Sequence, residues 1–384
     1  MTITEKIEKC FAFIRFAIDP ERHNAPEMSK NDWLRLYDFA SKQAIVGVVC
    51  EGLNRYNVPG SAPSEEIADQ WVICMAGIER KNQYTNKVAA QIFGLVEKDG
   101  FKCCILKGQG NNLLYPTPYS RMSGDIDLWM AQTGDPATDT KRILKYVRGK
   151  NPKGRTIYHH IEYGYFNKVE VEVHYRPSFL NNPLYNHRLQ KWFTEQADTQ
   201  FSNRVELPDH AGEVAIPTPE FNTVYQLVHL YRHMLNKGIG LRHIIDYYYV
   251  LMALKDKQHM DATLRYLGLE KIAGAVMWVL SKMLGMEEKY MITAPNERLG
   301  RVLAREILNS GDFVKQTKGS QPQTDGGKKS TWRFQVEKNI QRLGFDVRMM
   351  RYFPSECLWE PLFRIYHFFW RCYFKRVGGF TSKN

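Results

Sequence analysis

Asp125 and Asp127 stand two residues apart in Gly124-Asp-Ile-Asp-Leu128, a stretch that reads as a short strand. Residues i and i+2 of a strand face the same side, so the two carboxylates aim at one point. Carboxylates that close repel each other unless a cation lies between them. Mg²⁺ is a hard ion that takes one or two carboxylates together with substrate phosphates. Just upstream, Leu106-Lys-Gly-Gln-Gly110 supplies a glycine-containing turn. An Asp-x-Asp strand facing such a turn is a platform for a metal–triphosphate complex, with Mg²⁺, or else Mn²⁺, as the expected ion. A third carboxylate is expected from Val169-Glu-Val-Glu-Val-His174, whose strict alternation puts Glu170, Glu172 and His174 on one face. Glu172 is preferred as that ligand, with Glu170 kept open. Without a metal, the same pieces reduce to a turn-capping Gly-Asp and a solvated polar strand face.

The elements that must position these groups follow from periodicity. Helical spacing of apolar residues predicts helices over 3–18, from about Ser29, over 42–55 and over 65–98, with a Thr2/Glu5 capping box at the first. The period then shortens: 101–106, 125–130, 157–166 and 168–175 read as strands, the last two joined at Asn167-Lys168, with helices near 111–115 and 138–148. Helical spacing returns over 219–236, 240–254, 260–285 and 297–310, then over 332–350 and 356–376. The chain accordingly divides into a helical N-terminal region (1–99), an α/β core (100–216), a helical region walling the cleft (217–314), a linker or loop without large apolar residues (315–330) and basic, aromatic C-terminal helices (331–384). The fold class is α+β, with a small mixed sheet.

Taken together, Leu106-Lys107-Gly108, Tyr115-Pro116, Arg121, Gly124-Asp125-Ile126-Asp127-Leu128 and Glu172-Val173-His174-Tyr175 resemble the uncharacterised bacterial nucleotidyltransferase family of the DNA-polymerase-β-like superfamily. Leu241-Arg242-His243-Ile-Ile-Asp246 is similar to a helical motif in the same family. The resemblance spans most of the chain, and its specific part lies between Leu106 and Tyr175. It implies transfer of a nucleoside monophosphate from an NTP such as ATP to an acceptor (a small molecule, a protein side chain or an RNA end) with release of pyrophosphate. Asp125 and Asp127 would hold the nucleotide-side metal and, with Glu172, a second one. Lys107, Gly108, Gln109, Arg121 and Gly124 would meet the triphosphate. Arg242 and Asp246 would either line the cleft or pair with each other along a helix, and Arg121 could equally pair with an acidic neighbour. His174 would orient Glu172. Two features depart from the superfamily pattern: Gln109 stands where Ser is usual, and the gap from Gly108 to Asp125 is long.

Composition sets the outer bounds. The net charge of +12 favours an anionic partner, and Thr331–Asn384 holds ten Lys/Arg against four Asp/Glu. Nucleic-acid contact through that basic surface, as in one half of a toxin–antitoxin-like pair, is one rival function. A non-catalytic nucleotide-binding protein on the same fold is another. The seven cysteines include no CxxC pair and are expected to be reduced in a cytoplasmic protein. Neither a signal peptide nor an apolar run of transmembrane length is read. His229 and His233 have the i, i+4 spacing of zinc ligands, but no third ligand is visible in the sequence. The aromatic stretch 362–376 reads as a packed helix whose Arg and Lys reach solvent.

Overall fold

The apolar period changes twice along the chain, and the backbone changes with it. The computed structural model describes residues 3–236, 238–319 and 342–377. Four helices come first: α1 (Ile3–Ile18), α2 (Lys30–Lys42), α3 (Val46–Asn54) and the 34-residue α4 (Glu65–Lys98). Ser29 caps α2 reciprocally: its Oγ accepts from the Asp32 amide, and the Asp32 carboxylate accepts from the Ser29 amide. The capping box expected at the first helix involves Thr2, outside the described residues. The second half of α4 turns Val88, Ile92, Phe93 and Val96 into the core, beneath the sheet that follows.

That sheet is mixed and four-stranded, in the order β1-β2-β4-β3, from β1 (Lys102–Leu106), β2 (Ile126–Ala131), β3 (His160–Phe166) and β4 (Val169–His174). β1 runs antiparallel to β2, β2 parallel to β4, and β4 antiparallel to β3. The short α5 (Gly108–Asn112) and α6 (Pro136–Lys150) connect the first strands. The β3–β4 turn falls at Asn167-Lys168, both at positive φ (46° and 65°), the two-residue geometry that matches strand twist. Two elements escaped the periodicity argument: the 20-residue α7 (Pro183–Ser202) and the hairpin of β5 (Arg204–Leu207) and β6 (Gly212–Ala215). The apolar positions of α7 are too scattered to form a clean stripe, and each strand of the hairpin has only four residues.

The chain then returns to helices: α8 (Pro219–Asn236), α9 (Leu241–Ala253), α10 (Met260–Tyr266), α11 (Glu270–Leu284), α12 (Glu297–Gly319), α13 (342–350) and α14 (Pro354–Val377). The helix expected over 260–285 is broken at Gly268, whose φ of +71° closes α10 in the left-handed region. Residues 315–319, expected to begin a linker, are the end of α12; the rest of that segment, 320–330, lies outside the described residues.

The packed helix expected over the aromatic stretch is α14, but its apolar residues are only partly covered. One side does pack: Phe363 stacks on Phe179 with centroids 4.7 Å apart, and Trp370 lies over Tyr175. The other side leaves Leu358, Leu362, Ile365, Tyr366, Phe369 and Tyr373 each more than half exposed. Aromatic density along a helix does not itself supply a second surface to cover it. Ile365→Ser with Phe369→Ser should therefore change stability by no more than about 0.5 kcal/mol while reducing hydrophobic-dye binding. A large drop in melting temperature would show that these side chains are buried. No described helix is long and apolar enough to cross a membrane. All the cysteines are free thiols, five of them buried.

Candidate active site

β-ladder register builds this site. β2 is flanked by β1, with Leu106 opposite Asp127, and by β4, with Glu172 opposite Asp127. Neighbouring strands lie about 4.8 Å apart, so the Asp127 and Glu172 side chains rise next to each other. Asp125 precedes β2 by one residue, on the side its two-residue spacing predicts. Glu172, not Glu170, shares the cluster: carboxylate oxygens of Asp127 and Glu172 and a ring nitrogen of His174 all lie within 4.8 Å of one another.

Past β1 the chain reverses through Lys107 (φ +55°) and Gly108 (φ +38°). A Cβ on Gly108 would meet only the Asp125 carbonyl oxygen, at 3.7 Å, so it is the backbone angle, not crowding, that favours glycine there. The reversal returns Lys107 to the sheet, where its Nζ lies 2.8 Å from Asp127 Oδ2. His174 Nε2 lies 2.9 Å from Asp127 Oδ1 and 3.7 Å from Glu172 Oε2, bridging the two acids. His160 Nδ1 lies 2.9 Å from Glu172 Oε2.

Charge is unevenly held among these groups. The neighbouring Asp127 charge, and then burial, push the Asp125 carboxyl up to about 6 against the pull of Lys107. Burial also works against the Asp127 anion, but Lys107 and His174 more than compensate and its pKa falls below the ordinary value. Glu172 is half-buried; loss of solvent works against its anion too, but its contacts with His160 and His174 outweigh this and lower its pKa. Burial disfavours a proton on both imidazoles. It wins at His160, lowered to about 4, and loses at His174, which the two carboxylates raise to about 8. His174 therefore carries the proton and His160 stays neutral.

A testable consequence concerns Asp125. Its raised pKa favours folding below the ordinary value of 3.8, and that contribution is lost as pH rises through about 6. At pH 7.5, Asp125→Asn should stabilise the metal-free protein by about 1–3 kcal/mol, with a smaller gain at pH 5. An unchanged or lower melting temperature at pH 7.5 would mean that the carboxylates do not strain one another.

The remaining sequence candidates divide. Gln109 is buried, with neither amide atom partnered among the described residues. Such a group costs about 1–3 kcal/mol unless a ligand or water meets it. Gly124 has open space where a Cβ would stand. Arg242 donates through Nη1 to the Met122 carbonyl at 2.8 Å; burial, and then the Arg242 charge, lower the pKa of Lys81. Arg121, expected either to meet the triphosphate or to pair with an acidic neighbour, pairs with Asp246. Their side chains are buried against each other, Nε–Oδ1 at 2.7 Å and Nη2–Oδ2 at 2.8 Å, and Tyr115 donates to the same carboxylate at 2.6 Å. The pairing partner of Asp246 is thus Arg121, across the fold, and the guanidinium's two-pronged edge is occupied.

His160, Lys81 and Arg232 also approach these acids, with no sequence motif to mark them. Lys81 donates to the Ser123 carbonyl at 2.8 Å and feels the Asp125 charge, while Arg232, on α8, feels that of Glu172. Side chains brought to the acids from distant segments leave no local pattern. A cavity of about 820 Å³ bounded by Trp129, Tyr158, Phe201, Trp359 and Tyr366 is separate from this site, and none of the three acids lines it.

Carboxylate oxygens of Asp127 and Glu172 lie within 4.8 Å of each other, and Asp125, outside that group, is near enough for both charges to raise its pKa; such an oxygen donor set fits a hard divalent ion. The unpartnered Gln109 amide, on the turn beside them, fits a polar ligand.

No curated protein matches the chain. Among solved structures, an antigenic nucleotidyltransferase-like protein from Paracoccidioides brasiliensis is similar at 17% identity and a TM-score of 0.31, spanning 57% of this chain and 96% of its own. Residues 29–285, from the cap of α2 to the end of α11 and so including every acid of the cluster, match the family described as uncharacterised nucleotidyltransferase, and the chain belongs to that family.

Proposed function

We propose that this protein transfers a nucleoside monophosphate from an NTP to an acceptor oxygen in a divalent-metal-dependent reaction. The observation that carries the reading is the parallel register of Asp127 and Glu172, with Asp125 beside them and the Lys107–Gln109 turn facing them. The acceptor hydroxyl gives up its proton to water, its oxygen bonds the α-phosphorus, the bond from that phosphorus to the bridging oxygen breaks, and pyrophosphate leaves.

Asp125 and Asp127 would hold Mg²⁺ or Mn²⁺ on the triphosphate side and, with Glu172, a second ion on the acceptor side. Bound there, such ions polarise phosphoryl oxygens and lower the pKa of an attacking hydroxyl. The chain's own groups prepare that site. Lys107 and protonated His174 hold Asp127 ionised despite burial, and neutral His160 fixes the Glu172 carboxylate. Gln109 offers an amide donor to phosphate, and Lys81 and Arg232 bring positive charge near Asp125 and Glu172. The acceptor is a small molecule, a protein side chain or an RNA end.

The test uses each of the four NTPs, labelled at the α- or the γ-phosphate, with Mg²⁺ or Mn²⁺ and a cell extract as acceptor source. Retention of α-label on a product, with γ-label released in pyrophosphate, is expected. Nucleotide binding without turnover would favour the non-catalytic reading. Salt-sensitive RNA binding with no nucleotide binding would favour the nucleic-acid reading.

A further inference from the structure

The i, i+4 pair His229 and His233 lacks a third partner in the sequence, and the fold supplies one. α9 packs beside α8 and brings His243 against both. Ring centroids lie 4.4 Å apart for His229 and His233, 4.6 Å for His233 and His243, and 5.8 Å for His229 and His243. One ring nitrogen from each lies within 4.8 Å of the other two. The Nδ1 of His233 faces the Gly238 carbonyl at 3.3 Å. A carbonyl partner puts the hydrogen on Nδ1, the arrangement found in metal-bound histidines. Burial, followed by the charge of Lys107, keeps His229 well below the ordinary histidine range and hence neutral.

We propose that His229, His233 and His243 form a transition-metal site of the Zn²⁺ class. It is separate from the oxygen cluster of Asp125, Asp127 and Glu172 and independent of the activity proposed for that cluster. Three imidazoles are a borderline-soft set that selects Zn²⁺ or Co²⁺ over Mg²⁺, and a three-histidine set leaves a fourth coordination position open. The other histidine group, His159, His160 and His174, does not compete for this role, because two of its rings are held by Glu172 and Asp127. Lys107 and Arg232 both act on His229 as nearby positive charges, so this site binds more weakly than one with a carboxylate ligand. A metal there would tie α8 to α9.

The probe is Co²⁺ added to the metal-stripped full-length protein. Uptake of one equivalent is expected, with the visible absorption of nitrogen-ligated Co²⁺, displaced stoichiometrically by Zn²⁺ and unaffected by millimolar Mg²⁺. The spectrum should vanish in His233→Gln and His243→Gln and persist in Asp127→Asn. A second measurement needs no variant: Zn²⁺ should protect His229, His233 and His243 of the wild-type protein from diethylpyrocarbonate, read by mass spectrometry. No stoichiometric uptake, or a spectrum lost in Asp127→Asn but kept in the histidine variants, would overturn the proposal. So would an intense sulfur-to-cobalt band, which would assign the ion to a cysteine.

Discussion

Asp127→Asn should lower nucleotidyl transfer by about 10³-fold or more. Ligation of a catalytic metal is worth several kcal/mol of transition-state charge stabilisation, and about 4 kcal/mol corresponds to that factor. Asp127 is the acid most deeply set in the site, 2% exposed, and the one that both Lys107 and His174 contact. The amide is nearly isosteric but cannot supply the charge. Stability should fall as well, because Lys107 loses the anion that compensates its burial. Rates must therefore be normalised to the folded fraction, measured by near-ultraviolet circular dichroism. Glu172→Gln separates the two effects: it keeps the Lys107–Asp127 pair, so a loss of activity there with a small change in melting temperature points to metal binding. Turnover close to wild type in either variant removes these acids from the metal site.

Arg121→Met should destabilise the fold by about 3–5 kcal/mol, the usual result of leaving one charge of a buried pair alone. Asp246 would remain 3% exposed with only Tyr115 and the more distant Arg242 charge to favour its anion. Urea unfolding gives the magnitude. Adding Asp246→Leu should recover much of the loss, since desolvation of both charges opposes the pair's own attraction. Among folded molecules, KM for the NTP should be unchanged. A stable variant with a raised KM would instead make Arg121 a substrate contact.

Much of this architecture follows from local pattern. The period of apolar residues determines α1, α4 and α8 nearly to the residue, because a helix must bury one stripe whatever it packs against. Alternation in Val169–His174 determines that Glu172 and His174 share a face, and the spacing of Asp125 and Asp127 does the same for β2. The choice between Glu170 and Glu172 is different. Both satisfy the alternation, and only the β2–β4 register, a long-range pairing, sets Glu172 beside Asp127.

The histidine contacts show the boundary most clearly. A two-residue turn at Asn167-Lys168 pairs Phe166 with Val169 and, continued without a break, would put Ile161 opposite His174. A bulge between Glu162 and Gly164 leaves Tyr163 as an extra residue, so His160 faces His174 and Glu162 faces Glu172. One inserted residue moves the following side chains to the other face of the strand, and that alone turns His160 toward the acid site. Likewise Arg121 and Asp246, 125 residues apart, read as separate polar residues until the fold closes them into one buried pair. Sequence by itself determined which side chains share an element's face, because backbone geometry is local. Which faces meet was decided only by packing of the whole chain, because register, bulges and buried charge pairs are settled between segments that carry no record of one another.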